Sequence, residues 1–229
     1  MEPTLASFCR ELESRSIQVI EHPCMSPIPA QKCKTCVLGV LLSENGKKIE
    51  RYMLSRLTRK YNVISVRQPI PGVLFEYPAL RIAQLLSAER GEPVLYLHTK
   101  GAAHSGRFQR KTLNMWMYEF VEKKERYEEQ MDGYDLLLPY SGPQNVTWFN
   151  GFIASPKAFS SIPPIAVLEN RYLYEILFKG SSLRCFGRRI TTIQRDENCD
   201  NTSLMYRDIR RFSASYSQLA CRLHNLFLN

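Results

Sequence analysis

The chain has 229 residues, 44% hydrophobic and 23% charged, with 11 Gly and 13 Pro, a globular composition that excludes collagen-like repeats, coiled coil and general disorder. No apolar run approaches the roughly 18 to 20 residues that span a bilayer. Met1 to Arg15 carries Glu2, Glu11 and Glu13 without a basic start, so it does not read as a signal peptide, and a cytoplasmic protein is expected.

The formal net charge of +9 favours anionic partners. Acids interleaved with bases over Glu119-Phe-Val-Glu-Lys-Lys-Glu-Arg-Tyr-Glu-Glu argue against a nucleic-acid stripe. Seven Cys, scattered and odd in number, fit reduced thiols better than a disulfide framework. The sequons at Asn145 and Asn201 are then incidental.

Taken in chain order, Leu5 to Ser14 reads as a helix and Ile17 to Glu21 as a strand, followed by a turn through Pro23, Pro27 and Pro29. Val37-Leu-Gly-Val-Leu-Leu is an apolar run of the kind buried on both faces of a sheet, bounded by a turn at Glu44-Asn-Gly. Ile49, Tyr52, Met53 and Leu57 lie at helical spacing within Lys47 to Tyr61, and Asn62 to Arg67 resumes strand character. Strand, helix and strand at this spacing predict a right-handed βαβ unit with parallel strands.

Phe75 to Arg90 predicts a helix ended by Gly91, and Val94 to His98 a third core strand. A small polar loop, Gly101 to Gly106, leads into a long helix from about Gln109 to Met131, with Leu113, Trp116, Met117, Phe120 and Tyr127 on one side. Strands are expected at Asp135 to Pro139 and Trp148 to Ser155, and helices at Pro156 to Ser161, Leu168 to Phe178 and Ser203 to Phe227. The alternation predicts an α/β domain, a mostly parallel sheet flanked by helices.

Ligands of open α/β sheets bind outside the carboxyl ends of the strands. His98-Thr99-Lys100-Gly101 stands directly after a strand and leads the candidates. The Lys100 ammonium, backbone amides near Gly101 and the hydroxyls of Thr99 and Ser105 are groups that hold a diphosphate. A solvated Lys and a helix-capping Ser105 are the alternative. Neither a Walker-type loop nor a Gly-x-Gly-x-x-Gly turn is present.

Cys33-Lys-Thr-Cys36 has zinc-knuckle or redox spacing, but it lacks a second ligand pair and precedes a strand; plain thiols are the expectation. Asn150 and Gly151 interrupt an apolar strand, marking either a close ligand approach or a bulge. Glu169 and Glu175, six apart, are not a facing pair; either is a candidate base or a solvated helix residue.

Phe75-Glu-Tyr-Pro-Ala-Leu, Val94-Leu-Tyr-Leu-His-Thr-Lys-Gly and Trp148-Phe-Asn-Gly-Phe-Ile-Ala-Ser together resemble a family of bacterial glycosyltransferase-like proteins with a Tyr-Leu-His-Thr-Lys-Gly strand end. The likeness runs from about Val37 to Phe178, and the wider pattern is similar to the GT-A glycosyltransferase architecture. There the third strand usually ends in Asp-x-Asp, which holds a divalent metal on the donor diphosphate. His98-Thr99-Lys100 stands at the matching place without a carboxylate.

The resemblance implies a single GT-A-like domain over residues 37–200, with an extension at 1–36 and a basic helix at 201–229 packed on it. It implies sugar transfer from a nucleotide-sugar to a glycan or lipid-linked acceptor in bacterial surface polysaccharide synthesis. Thr99, Lys100, Gly101, Ser105 and Asn150 would bind the donor, and His98, Glu169 and Glu175 are the catalytic candidates. No cofactor is expected to be required and no metal is favoured; if carboxylates elsewhere held one, Asp132 and Asp135 come first. A catalytically silent nucleotide- or glycan-binding protein of the same fold is the alternative. Arg207, Arg210, Arg211 and Arg222 give the terminal helix a face suited to anionic lipid at the inner side of the membrane.

Overall fold

The computed structural model describes residues 3–26, 34–70, 74, 76–99, 113–114, 116–122, 133–141, 145, 147, 151–168 and 171–189. All of them lie within the unit Met1–Ile190. The first helix, α1 (Leu5–Ser14), starts where the Thr4 side chain accepts from the Ser7 amide, and it buries Phe8 and Leu12. Strand β1 (Gln18–His22) follows.

Strand β2 (Lys34–Leu41) is buried along almost its whole length, as its unbroken apolar run requires. Helix α2 (Glu44–Leu57) leads to β3 (Tyr61–Gln68), and α3 (Tyr77–Arg90) leads to β4 (Val94–His98). α3 stops at Gly91, whose φ of 64° lies in the left-handed region where a side chain is disfavoured. The remaining described elements are a π-helical turn (Tyr118–Glu122), β5 (Leu136–Ser141), β6 (Phe152–Ala154), a short helix α4 (Pro156–Ser160), a 3-10 helix (Arg171–Ile176) and β7 (Cys185–Arg189).

The seven strands form one sheet in the order β1-β3-β2-β4-β6-β5-β7. β3 and β4 both pair with β2 in parallel, and β7 pairs with β5 in parallel. β1 and β6 run against their neighbours, so the sheet is mixed rather than mostly parallel in its pairing. A connection between antiparallel neighbours needs no crossover helix, which is how the short β6 fits between β4 and β5.

Alternation along the strands divides the core into two layers. Val37, Val66, Tyr96, Leu136 and Phe152 face α1, α3 and α4. Cys36, Leu38, Val63, Leu95, Leu137 and Ile153 belong to the layer with Met53 and Leu57 of α2 and with Leu113, Trp116 and Phe120. Each fully buried side chain of this size contributes about 1.5 to 3 kcal/mol through removal from water.

Several elements differ from the sequence expectation. Glu44-Asn45-Gly46 is the first turn of α2 and not a separate turn, because the Ser43 hydroxyl caps the helix by accepting from the Gly46 amide at 2.8 Å. Within the expected helix Leu168 to Phe178, Arg171–Ile176 form a 3-10 helix, and Leu177 and Phe178 lie in a turn. β7 was not anticipated. Cys36 lies within β2 itself, fully buried between Val63 and Leu95 on the neighbouring strands. Cys33, residues 101–112, residues 123–132 and the expected terminal helix lie outside the described residues.

Candidate functional site

From β2 the chain steps outward to β3, then returns across β2 to β4 on its other side. Strand order reverses at this point, and the crevice beyond the carboxyl ends of β2 and β4 is where an open α/β sheet offers a ligand site. Two helices begin near these ends. α2 starts just after β2, with its positive dipole end there. α3 starts at Glu76, whose backbone is helical and whose side chain makes no cap hydrogen bond. Gly46 is required for this closeness, since a Cβ on it would collide with the Leu41 carbonyl oxygen.

His98 ends β4 opposite Gly39 of β2. Beyond it, the Thr99 amide donates to the Gly39 carbonyl at 2.8 Å, and the Leu41 amide donates to Thr99 Oγ1 at 3.2 Å. Thr99 thus ties the two strand ends together while keeping its hydroxyl hydrogen to give. The His98 ring meets the Trp116 ring edge-on at 5.3 Å between centroids and lies 6.2 Å from the Tyr96 ring.

Tyr96 is fully buried, and its hydroxyl has no hydrogen-bond partner. Burial, then the nearby Glu76 carboxylate and Tyr174 phenol, hold that hydroxyl well above the usual range, so it remains protonated. The hydroxyl lies toward Gly39, where an added Cβ would come within 3.7 Å of it and within 3.4 Å of His98 Cβ.

Trp116 is fully buried as well, and its Nε1 has no hydrogen-bond partner. Its segment is pinned to α2 and β3 by three contacts. The Tyr52 hydroxyl donates to Asn114 Oδ1 at 3.0 Å, Arg56 Nη1 pairs with Glu122 Oε1 at 3.0 Å, and the Tyr61 hydroxyl donates to the Phe120 carbonyl at 2.7 Å. Gly151, just before β6, lies so close under the indole that any Cβ there would overlap Nε1.

Of the residues expected from sequence, His98 and Thr99 come together at the end of β4. Glu175 belongs to the 3-10 helix. Lys100, Gly101, Ser105, Asp132, Asn150 and Glu169 lie outside the described residues. Asp135 stands at the other end of the sheet, before Leu136, whose partner Ala154 also pairs with Val94 at the start of β4. Its carboxylate is occupied there by Lys157 Nζ at 3.1 Å and the Arg184 amide at 2.9 Å. Asn145 is likewise structural: its amide donates to the Ser181 and Leu183 carbonyls and accepts from the Cys185 thiol.

Glu76, Tyr96 and Trp116 were not singled out from the sequence as site residues. The available signal for Tyr96 was its place two residues before His98 on the same strand, which puts both on one face.

The GT-A likeness would imply a divalent cation at the end of β4. Thr99 Oγ1 accepts from Leu41, and among the described residues no group of three His, Cys, Asp or Glu side chains is placed to hold a metal. No family model, curated protein or solved structure matches the chain.

Proposed function

We propose that the chain binds a nucleotide-sugar in the crevice at the carboxyl ends of β2 and β4 and transfers the sugar to a glycan or lipid-linked acceptor. The observation that carries this reading is the position of His98 and Thr99 at the reversal of strand order, beside the start of α2. A βαβ unit with parallel β2 and β3 feeding that crevice supports a nucleotide site. The Tyr-Leu-His-Thr-Lys-Gly motif supports the transferase class, and a GT-A-like domain is part of the same proposal.

In this reading an acceptor hydroxyl oxygen forms a bond to the anomeric carbon while the bond to the diphosphate oxygen breaks. The electron pair leaves on the diphosphate. Lys100, the residue after Thr99 in sequence, neutralises that charge in place of a metal, and the Thr99 hydroxyl hydrogen donates to a phosphate oxygen. Gly101 and Ser105 complete the phosphate contacts, and Asn150 orients the donor or acceptor. The acceptor proton passes to His98, with Glu169 and Glu175 as the other candidate bases.

The test is a thermal-shift panel of UDP-, GDP-, CDP-, dTDP- and CMP-sugars in EDTA, repeated with Mn²⁺ and with Lys100→Ala. A ligand that binds only the folded state raises the melting temperature. The proposal expects a shift that survives EDTA and falls by the equivalent of about 1.5 to 3 kcal/mol in Lys100→Ala. Release of the nucleoside diphosphate, or of CMP from a CMP-sugar, with an acceptor marks a transferase; binding with no release under any acceptor marks a silent binding protein. No shift with any donor overturns the reading.

A further inference from the structure

Pro78 to Ser87 of α3 are all buried, and Arg81 is the one charged residue in that run. Ala79 meets the sheet at Gly39, so Tyr77, Arg81 and Gln84, at positions i, i+4 and i+7, lie on the opposite face of the helix. Gln84 ties that face to the segment after α4, donating to the Phe159 and Pro163 carbonyls and accepting from the Ile165 amide. Tyr77 ties it to α1, with its ring edge-on to Phe8 at 5.8 Å. Arg81 stands between them, 4% exposed.

Among the described residues the Arg81 guanidinium makes one hydrogen bond, from Nη1 to the neutral Gln84 Oε1 at 2.6 Å, and no ion pair. Taking a cation out of water is costly unless an opposite charge meets it. Arg81 Nε and Nη2 make no further bond, and neither is a sealed, unpartnered atom, so both still reach solvent. Glu11 on α1 does not supply the missing charge, because Arg15 holds it at 3.2 Å. Burial and then Glu11 push the Tyr77 phenol up, while Arg81 and Arg15 pull it down. Two guanidinia thus act on one half-buried phenol where α1 meets α3, against a carboxylate that is already paired.

We propose that Arg81 binds an oxyanion, a phosphate or carboxylate group, on the face of α3 turned away from the sheet, with the Tyr77 hydroxyl as a second donor. The flat guanidinium fork matches two oxygens of such a group at once. This site is separate from the crevice at the ends of β2 and β4, and it stands whether or not that crevice takes a nucleotide-sugar.

The test titrates the full chain with inorganic phosphate and, separately, with acetate, each against chloride at matched ionic strength, and follows the melting temperature. At least one of the two should give a saturable rise, of about 3 to 6 °C at roughly tenfold excess over the dissociation constant. Arg81→Met should lower the affinity by about tenfold or more. Arg81→Lys keeps the charge without the fork and should lower it about three- to tenfold; this comparison decides the matter should Arg81→Met not fold. A stronger response to phosphate marks a phosphoryl ligand, and a stronger response to acetate a carboxylate. No saturable rise with either anion, or the same rise in wild type and both variants, overturns the inference, since a shared rise is a general salt effect. A response lost in Lys100→Ala and kept in Arg81→Met places the anion in the crevice and overturns it as well.

Discussion

Thr99 Oγ1 accepts the Leu41 amide at 3.2 Å, so the end of β4 is fastened to the end of β2 by a side chain as well as by the ladder bond from the Thr99 amide to Gly39. The residue expected to touch a phosphate therefore also builds the floor of the crevice. Thr99→Val keeps the shape and leaves the Leu41 amide without its partner. We expect a loss of about 1 to 3 kcal/mol in urea unfolding, with Thr99→Ser close to wild type. A Thr99→Val protein as stable as wild type would show that the contact is dispensable.

Asp135 gives a pH dependence of known sign. Burial pushes its carboxyl up, but the Arg184 amide and the Lys157 ammonium outweigh burial and hold it below the usual carboxylate range. A group with a lowered folded value contributes stability that is present above its unfolded value, near 3.9, and is lost as pH falls through the folded value. Asp135→Asn should therefore cost about 1 to 2 kcal/mol at a constant level from pH 5 to pH 8, with the difference shrinking below about pH 4. A difference that grows on acidification would contradict the assignment.

The thiols should separate by depth. Cys36 is fully buried, and burial pushes its thiol far above the usual range; burial and then the Asp135 carboxylate push Cys185 up to about 11. Since the thiolate is the reacting form, iodoacetamide at pH 7.5 should leave Cys36 unlabelled in the native protein and label it fully in denaturant. Native labelling of Cys36 at the rate of a free thiol would mean that β2 opens readily.

Much of the framework was legible because local and global signals agree. The run Val94-Leu-Tyr-Leu-His, with Gly91 ending the helix before it, has the same bounds in the sequence reading and in β4. The start of α2 was misread because Asn45-Gly46 is a strong turn signal by itself. What requires Gly46 is the Leu41 carbonyl of the preceding strand, a contact that only the folded backbone reveals. β7 was missed because Cys185-Phe-Gly-Arg-Arg carries little strand signal, and its partner β5 lies far away in the chain. At the site, polar residues after a strand were visible, whereas Tyr96 and Trp116 read as core. Their burial is indeed that of core residues; what marks them is the missing hydrogen bond, and no sequence pattern encodes that.

Hydrogen exchange read by mass spectrometry, with and without the nucleotide-sugar that gives the largest thermal shift, tests the central claim most directly. Bound ligand should slow exchange in Leu42 to Lys47, at the start of α2, and in peptides beginning at His98, while the Asp135 to Leu138 region at the other end of the sheet stays unchanged. Protection confined to the Asp135, Lys157 and Arg184 end, with no change after β2 and β4, would contradict a ligand site at the reversal of strand order.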